Sequence, residues 1–496
     1  MTLLARKHVG NVVVALVALV LLAAGAFWLR ARLRAEANPG PPNILIISLC
    51  SVRADHMSCY GYPRETTPNF ERLAREAIIF DHAITQWPKT VPGFTAIMTG
   101  KYGHTTGVMR VTPFQHLDDR HETLAETLGA HGYETGAFIS TPVLNPQTNV
   151  LQGFETVEEV YRLRRDLSYI AATQRAIRWL QQPREAPFFA WVHYNNAHQP
   201  YYPVGVWPRM FVDDEFYDAT RRWIPVNEEP LRLDLPPMRH PYAEQVNRPD
   251  IGGVHRSAVL KQNPNELAYY IAQYDASIRS ADEMAGDVLE EARRLGLLDN
   301  TIVVVVGDHG ESLGDHDYYF AHGRLPYNDC ARVPLLIRPA GGTKATRVRV
   351  PVAVFGLAPT LLELAGIQPP AEMEATSLLP VVHGDETAPL VFMESGYQLD
   401  YTLSVWEGRW KLIHIPSPID RLWTKGSEYE LYNLERDPGE LRNLYETRPA
   451  VATRLRQKLE QWSAPWIEAA YNTVGTSNVQ LDEEMRERLR ALGYLP

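Results

Sequence analysis

The densest chemistry in this chain lies in one short stretch, Gly307–His316, which reads GDHGESLGDH. The apolar run TIVVVVG (Thr301–Gly307) leads straight into it, so Asp308 and His309 emerge at the carboxyl end of a buried strand. A carboxylate and an imidazole at such a bend can hold a divalent cation. A solvated turn with two unrelated polar groups is the plainer reading of a lone Asp-His pair. The strand ahead of it and His322 downstream weigh for the site. A second segment, HYNNAHQPYYP (His193–Pro203), also follows a buried strand and sets amides between His193 and His198. Imidazole and amide donors in that pattern suit an anion pocket. Histidines of a Pro- and Tyr-rich loop can equally well just pack. A third segment, WPKTVPGFTAIMTGKYGH (Trp87–His104), carries Thr90 in a Pro-bracketed turn that enters a helix. A helix N-terminus presents side chain and backbone N–H groups to an anion. A threonine hydroxyl becomes a nucleophile only when a metal or base activates it, and an ordinary loop threonine is structural. Lys89 and Asn196 are the candidate substrate-binding side chains.

These residues need a frame that brings chain ends of strands together. NILIISL (Asn43–Leu49), GAFIS (Gly136–Ser140), PFFAWVHY (Pro187–Tyr194), TIVVVVG (Thr301–Gly307) and VPLLIRP (Val333–Pro339) are short apolar runs without alternation. Such runs read as strands buried on both faces. Helical patterns fall between them at 69–77, 123–131 and 265–295. The alternation predicts an α/β fold with a doubly wound, mostly parallel sheet, whose ligands sit beyond the carboxyl ends of the strands. Residues 204–262, rich in Pro, acids and aromatics, break the rhythm and read as an insertion able to roof the site. The last region, 385–496, alternates in RWKLIHI (Arg409–Ile415) and YELYNLE (Tyr429–Glu435), with helices expected at 450–463 and 481–492. It predicts a small C-terminal α+β subdomain after a catalytic domain at 43–384.

The 496 residues are 45% hydrophobic and 22% charged, a globular composition. A net charge of −10 argues against a nucleic-acid partner but leaves room for a locally positive pocket and a small anionic substrate. Three cysteines, Cys50, Cys59 and Cys330, cannot form a disulfide framework. From Val12 to Leu29 the chain has no charge, which is a membrane-spanning length. Residues 1–30 therefore read as an uncleaved signal anchor, followed by a polar linker at 31–42. The expected location is the cell membrane, single-pass, with the domain extracytoplasmic. Basic residues on both flanks (Arg6 and Lys7; Arg30, Arg32 and Arg34) leave the orientation ambiguous. A cleaved signal peptide, with small residues near Ala23–Ala26, is the competing reading.

Several segments resemble the sulfatase family of the alkaline phosphatase superfamily. They are NILIISLCSVRADHMSCYGYPRETTPNFERLAREAIIF, GDHGESLGDHDYYFAHGRLPYNDCARVPLLIRP, APTLLELAGI, GRWKLIHI, ELYNLERDPGELRNL and LRALGYL. The resemblance runs from about residue 42 to the end and implies that family's fold. It implies that Asp308 and His309 are metal ligands, that His198 contacts the oxyanion with His193 beside it, and that His322 contacts the ester or leaving group. Thr90 falls where sulfatases carry the Cys or Ser that becomes formylglycine. Its Cβ bears a methyl group, so oxidation would give a ketone, and no formylglycine is expected. Gly93 and Phe94 fall where Ser and Arg or His are usual. Cys50 falls where a metal-binding Asp is usual, and Ser51 replaces a second Asp.

A threonine nucleophile resembles that of phosphodiesterases and phosphoglycerol transferases of the superfamily. With Cys50 as a ligand, one divalent ion is implied, zinc or manganese before calcium, because a thiolate suits soft or borderline ions. The expected partners are a small anionic ester or a sulfated or phosphorylated glycan or lipid, and the membrane itself. Three functions remain in view: a metal-dependent sulfate or phosphate esterase, a catalytically degraded binding module, and a transferase of phosphoryl headgroups.

Overall fold

The computed structural model describes residues 40–109, 115–199, 267–384 and 389–472, apart from 397–400, 418–420 and 422–425, together with some residues between 201 and 219 and a few beyond 482. The run Val12–Leu29, most of the 204–262 insertion and most of the helix expected at 481–492 lie outside the described residues. Among the described residues no helix is long and apolar enough to cross a membrane.

The central sheet is built from β1 (Asn43–Leu49), β2 (Ile78–Phe80), β3 (Glu134–Ile139), β4 (Thr156–Glu158), β5 (Phe188–Tyr194), β6 (Thr301–Gly307), β7 (Leu335–Arg338) and β8 (Thr346–Val348). Their order across the sheet is β8-β2-β7-β6-β1-β5-β3-β4. β1 lies in the middle and pairs in parallel with β5 and β6. β7 is the exception, antiparallel to both β6 and β2. The connection from β6 to β7 carries a small hairpin (Ser312–Leu313 with Tyr319–Ala321) and the short helix Asn328–Ala331 but no long crossover helix, so the chain turns back.

The long apolar runs are explained by burial on both faces. Ile44 and Ile46 belong to one core and Leu45, Ile47 and Leu49 to the other. The first face is covered by α2 (Thr90–Thr99), α3 (Leu124–Ala130) and α6 (Leu357–Leu364); the second by α1 (Pro68–Ala74), α4 (Arg165–Leu180) and α5 (Leu267–Arg294). At α3 the capping box is complete: Thr123 accepts the Glu126 N–H while the Glu126 carboxylate accepts the Thr123 N–H.

The C-terminal region forms a second, antiparallel sheet of β9 (Val391–Ser395), β10 (Thr402–Glu407), β11 (Trp410–His414) and β12 (Tyr429–Asn433), in that order. Its core of Leu403, Val405, Leu412 and Leu431 packs on Ala452, Leu455 and Leu459 of α7 (Pro449–Ser463).

Candidate active site and metal centre

The parallel core strands end on the same edge, and three chain segments converge there. β1 delivers Cys50, β6 delivers Asp308 and His309, and the first residue of α2 is Thr90. All four are completely buried. Cys50 Sγ lies 3.4 Å from Asp308 Oδ2 and 3.5 Å from Thr90 Oγ1. His309 Nε2 lies 3.2 Å from Thr90 Oγ1 and 3.4 Å from Asp308 Oδ2. His309 Nδ1 donates to the Gly310 carbonyl at 2.8 Å, which leaves the lone pair on Nε2 facing the cluster. Gly310 is required by sterics, since a Cβ there would sit 1.9 Å from the Asp329 carbonyl oxygen.

This donor set of thiol, carboxylate, imidazole and hydroxyl suits a borderline divalent ion such as zinc. Four of the separations among the donors are 3.2–3.5 Å. Cys50, Asp308 and His309 each turn one ligand atom to within 4.8 Å of the others. Without a cation the arrangement is electron-rich. Burial and the Asp308 charge push the Cys50 thiol well above its usual value, so it stays protonated and donates to Asp308.

Around this cluster stands a ring of imidazoles. His322 lies against His309 with ring centroids 4.0 Å apart, and His198 meets His322 edge-on at 5.2 Å. His198 Nδ1 donates to the Gln199 carbonyl at 2.7 Å. His322 Nδ1 faces Glu311 Oε2 at 3.3 Å. Burial, helped by His309, His198 and Lys89, holds His322 well below the usual imidazole value, so it is neutral at pH 7. Lys89 lays its stem across Gly323, where a Cβ would come within 2.4 Å of Lys89 Cε, and reaches the Gly396 carbonyl at 3.3 Å.

Residues 42–367 match the sulfatase family model, and residues 314–464 match the model for the C-terminal region of N-sulphoglucosamine sulphohydrolase. The chain belongs to the sulfatase family. An N-acetylglucosamine-6-O-sulfatase of Bacteroides thetaiotaomicron is 25% identical over 474 residues, which cover 82% of this chain and 82% of that protein. A multifunctional alkaline phosphatase superfamily protein of Trinickia caryophylli is 25% identical over 404 residues, covering 68% of this chain and 76% of that one. Among solved structures, the phosphonate monoester hydrolase of Agrobacterium radiobacter superposes with a TM-score of 0.67 at 21% identity, over 86% of this chain and 96% of that one. At that identity the likeness is one of fold.

Within this sulfatase framework, two expected site residues turn away. His193 sits within β5, in register with Ser48 of β1. Its Nδ1 pairs with Ser48 Oγ at 3.0 Å, and its ring meets Phe94 edge-on at 5.2 Å. Its Nε2 has no hydrogen-bond partner among the described residues, and burial lowers its pKa to about 4. His193 is thus a neutral core histidine beneath the cluster and makes no hydrogen bond to it. Asn196 points to α5, donating to Ser280 Oγ at 3.2 Å. Phe94 packs on Trp191 at 5.0 Å in the core, so no cation replaces the Arg or His that the resemblance places there.

Two residues were not singled out from the sequence. Glu311 is fully buried, its carboxyl pushed well above the usual range by burial and by Asp329 and Asp308. Its signal was its place two residues after His309. Tyr274, from α5, hydrogen-bonds the turn after Cys50, and nothing in its helical spacing marks it.

Proposed function

We propose that this sulfatase-family protein is a metal-dependent hydrolase of sulfate or phosphate esters, with Thr90 as the nucleophile. The observation that supports it most is the close grouping of Cys50 Sγ, Asp308 Oδ2, His309 Nε2 and Thr90 Oγ1, with separations of 3.2–3.5 Å around the group. Zinc or manganese suits that set better than calcium, which prefers oxygen ligands. A bound ion there would acidify the Thr90 hydroxyl and neutralise charge that builds on the transferred group.

The chain's own residues set the rest. Thr90 opens α2, so the N–H groups of residues 90 and 91 have no partner inside the helix and suit an ester oxygen. Attack by Oγ1 forms a Thr90 ester and frees the alcohol, and water then releases sulfate or phosphate. His198, His322 and Lys89 flank the position of the leaving group. The name of one relative, an N-acetylglucosamine-6-O-sulfatase, supports a sulfated glycan as substrate. The uncharged run Val12–Leu29 supports tethering to a membrane.

Full burial of Thr90 favours a second reading, a metal-stabilised binding module. One experiment separates the two: turnover of nitrophenyl sulfate, phosphate and phosphonate esters by the zinc-loaded protein, beside Thr90→Ala and Asp308→Ala. Hydrolysis lost in both variants supports the enzyme. Hydrolysis that survives Asp308→Ala refutes metal-dependent catalysis. Zinc bound without any turnover favours the binding module.

A further inference from the structure

Ser51, directly after Cys50, holds a left-handed backbone with φ at 59°. Residues with a Cβ resist that conformation, and it persists only where the surroundings over-determine it. Here the surroundings are explicit. The Cys50 N–H donates to the Tyr194 carbonyl at 2.9 Å, and the Ser51 N–H to Asp308 Oδ1 at 3.1 Å. The Tyr274 hydroxyl donates to the Ser51 carbonyl at 2.6 Å and accepts the Arg53 N–H at 2.9 Å. One phenol therefore ties both ends of the strained turn to α5. It cannot swing away. Tyr274 is fully buried, and its ring is wedged edge-on against His56 at 5.2 Å and Tyr201 at 5.3 Å.

We infer that Tyr274 is a positioning residue for the metal centre: it holds Ser51 in the left-handed conformation and so aims Cys50 Sγ at Asp308 and Thr90. The inference rests on the metal reading above. Outer partners that orient a ligand are worth roughly 10–100-fold in metal affinity. The strain account makes a sharper demand. Glycine adopts positive φ without penalty, so Ser51→Gly should make the clamp dispensable. The Ser51 hydroxyl makes one contact with the cluster, a long hydrogen bond of 3.7 Å to Cys50 Sγ, which Ser51→Gly on the wild-type background removes by itself.

The test is cobalt(II) titration of the purified full-length chain, read by the thiolate-to-cobalt absorption band, with folding checked by denaturant unfolding. Wild type should bind with a strong band. Tyr274→Phe should bind roughly 10–100-fold more weakly with a diminished band, and Tyr274→Phe/Ser51→Gly should recover most of both. Should Tyr274→Phe not fold, Ser51→Val asks the same question with the tyrosine intact: it must weaken the band while Ser51→Gly keeps it. Wild-type affinity in Tyr274→Phe overturns the inference, as does a loss that Ser51→Gly leaves unrepaired. A wild type that binds no cobalt overturns the metal reading and takes this inference with it.

Discussion

Two buried polar clusters sit in this molecule, and they are built on opposite logic. In the C-terminal region Lys411 of β11 is fully buried against Glu440, and its ammonium also donates to the Pro326 carbonyl at 2.6 Å. Glu440 in turn accepts the Asn328 N–H at 2.6 Å. Cation and anion satisfy each other, and the pair joins the antiparallel sheet to the chain that follows the active-site strand. At the Cys50 cluster every group is a lone-pair donor or a weak proton donor, and no side-chain cation enters among the described residues. The first cluster is complete as built. The second takes a cation on the function proposed above: a buried carboxylate beside a thiol, an imidazole and a hydroxyl is a donor set that suits one.

Breaking each cluster should have different consequences. The largest effect belongs to Lys411→Met, which strands Glu440 in the interior. Its cost should be about 3–5 kcal/mol in denaturant unfolding, with or without metal. Zinc should matter only at the other cluster. At a hundredfold excess over its dissociation constant it should stabilise wild type by about 2.7 kcal/mol and leave Asp308→Ala unchanged. Lys411→Met should keep the zinc response, which shows the two clusters to be independent.

The pH response sharpens the contrast. His193, with a folded pKa of about 4 against a usual 6.5, is held neutral by burial. Between those values the unfolded chain binds the extra proton. Stability should therefore fall as the pH drops from about 6.5 towards 4, by on the order of 1–3 kcal/mol, and His193→Phe should flatten that slope. Zinc affinity should weaken over the same descent, because the Cys50 proton must leave before sulfur can ligate. The smallest expected effect is one of selectivity. Cys50→Asp should shift preference from zinc towards calcium by about tenfold, or 1.4 kcal/mol, measured by competition titration.

Much of this was legible along the chain. The apolar runs ending at Leu49, Tyr194 and Gly307 are strands of the central sheet, and Asp308, His309 and Thr90 meet where their carboxyl ends point. The short strands β2, β4 and β8 were not legible, because three residues carry too little periodicity to stand out. The antiparallel course of β7 was not legible either, since a buried strand shows the same apolar run in either direction. His193 and Asn196 misled for a related reason. Their residue types advertise polar chemistry, but strand pleat and loop bend decide which side each faces.

The sequence by itself determined the α/β class and the strand ends that carry the polar residues, and its resemblance to the sulfatases marked the thiol and the hydroxyl as standing where other residues are usual. The first two are properties of residue type and local spacing. Only the tertiary structure decided that Cys50 and Thr90, far apart in sequence, come within 3.5 Å, that Phe94 fills core space, and that Tyr274 clamps the turn at Ser51. Donor separations of a few ångströms are set by how strands register and helices pack, and no local pattern in the chain encodes them.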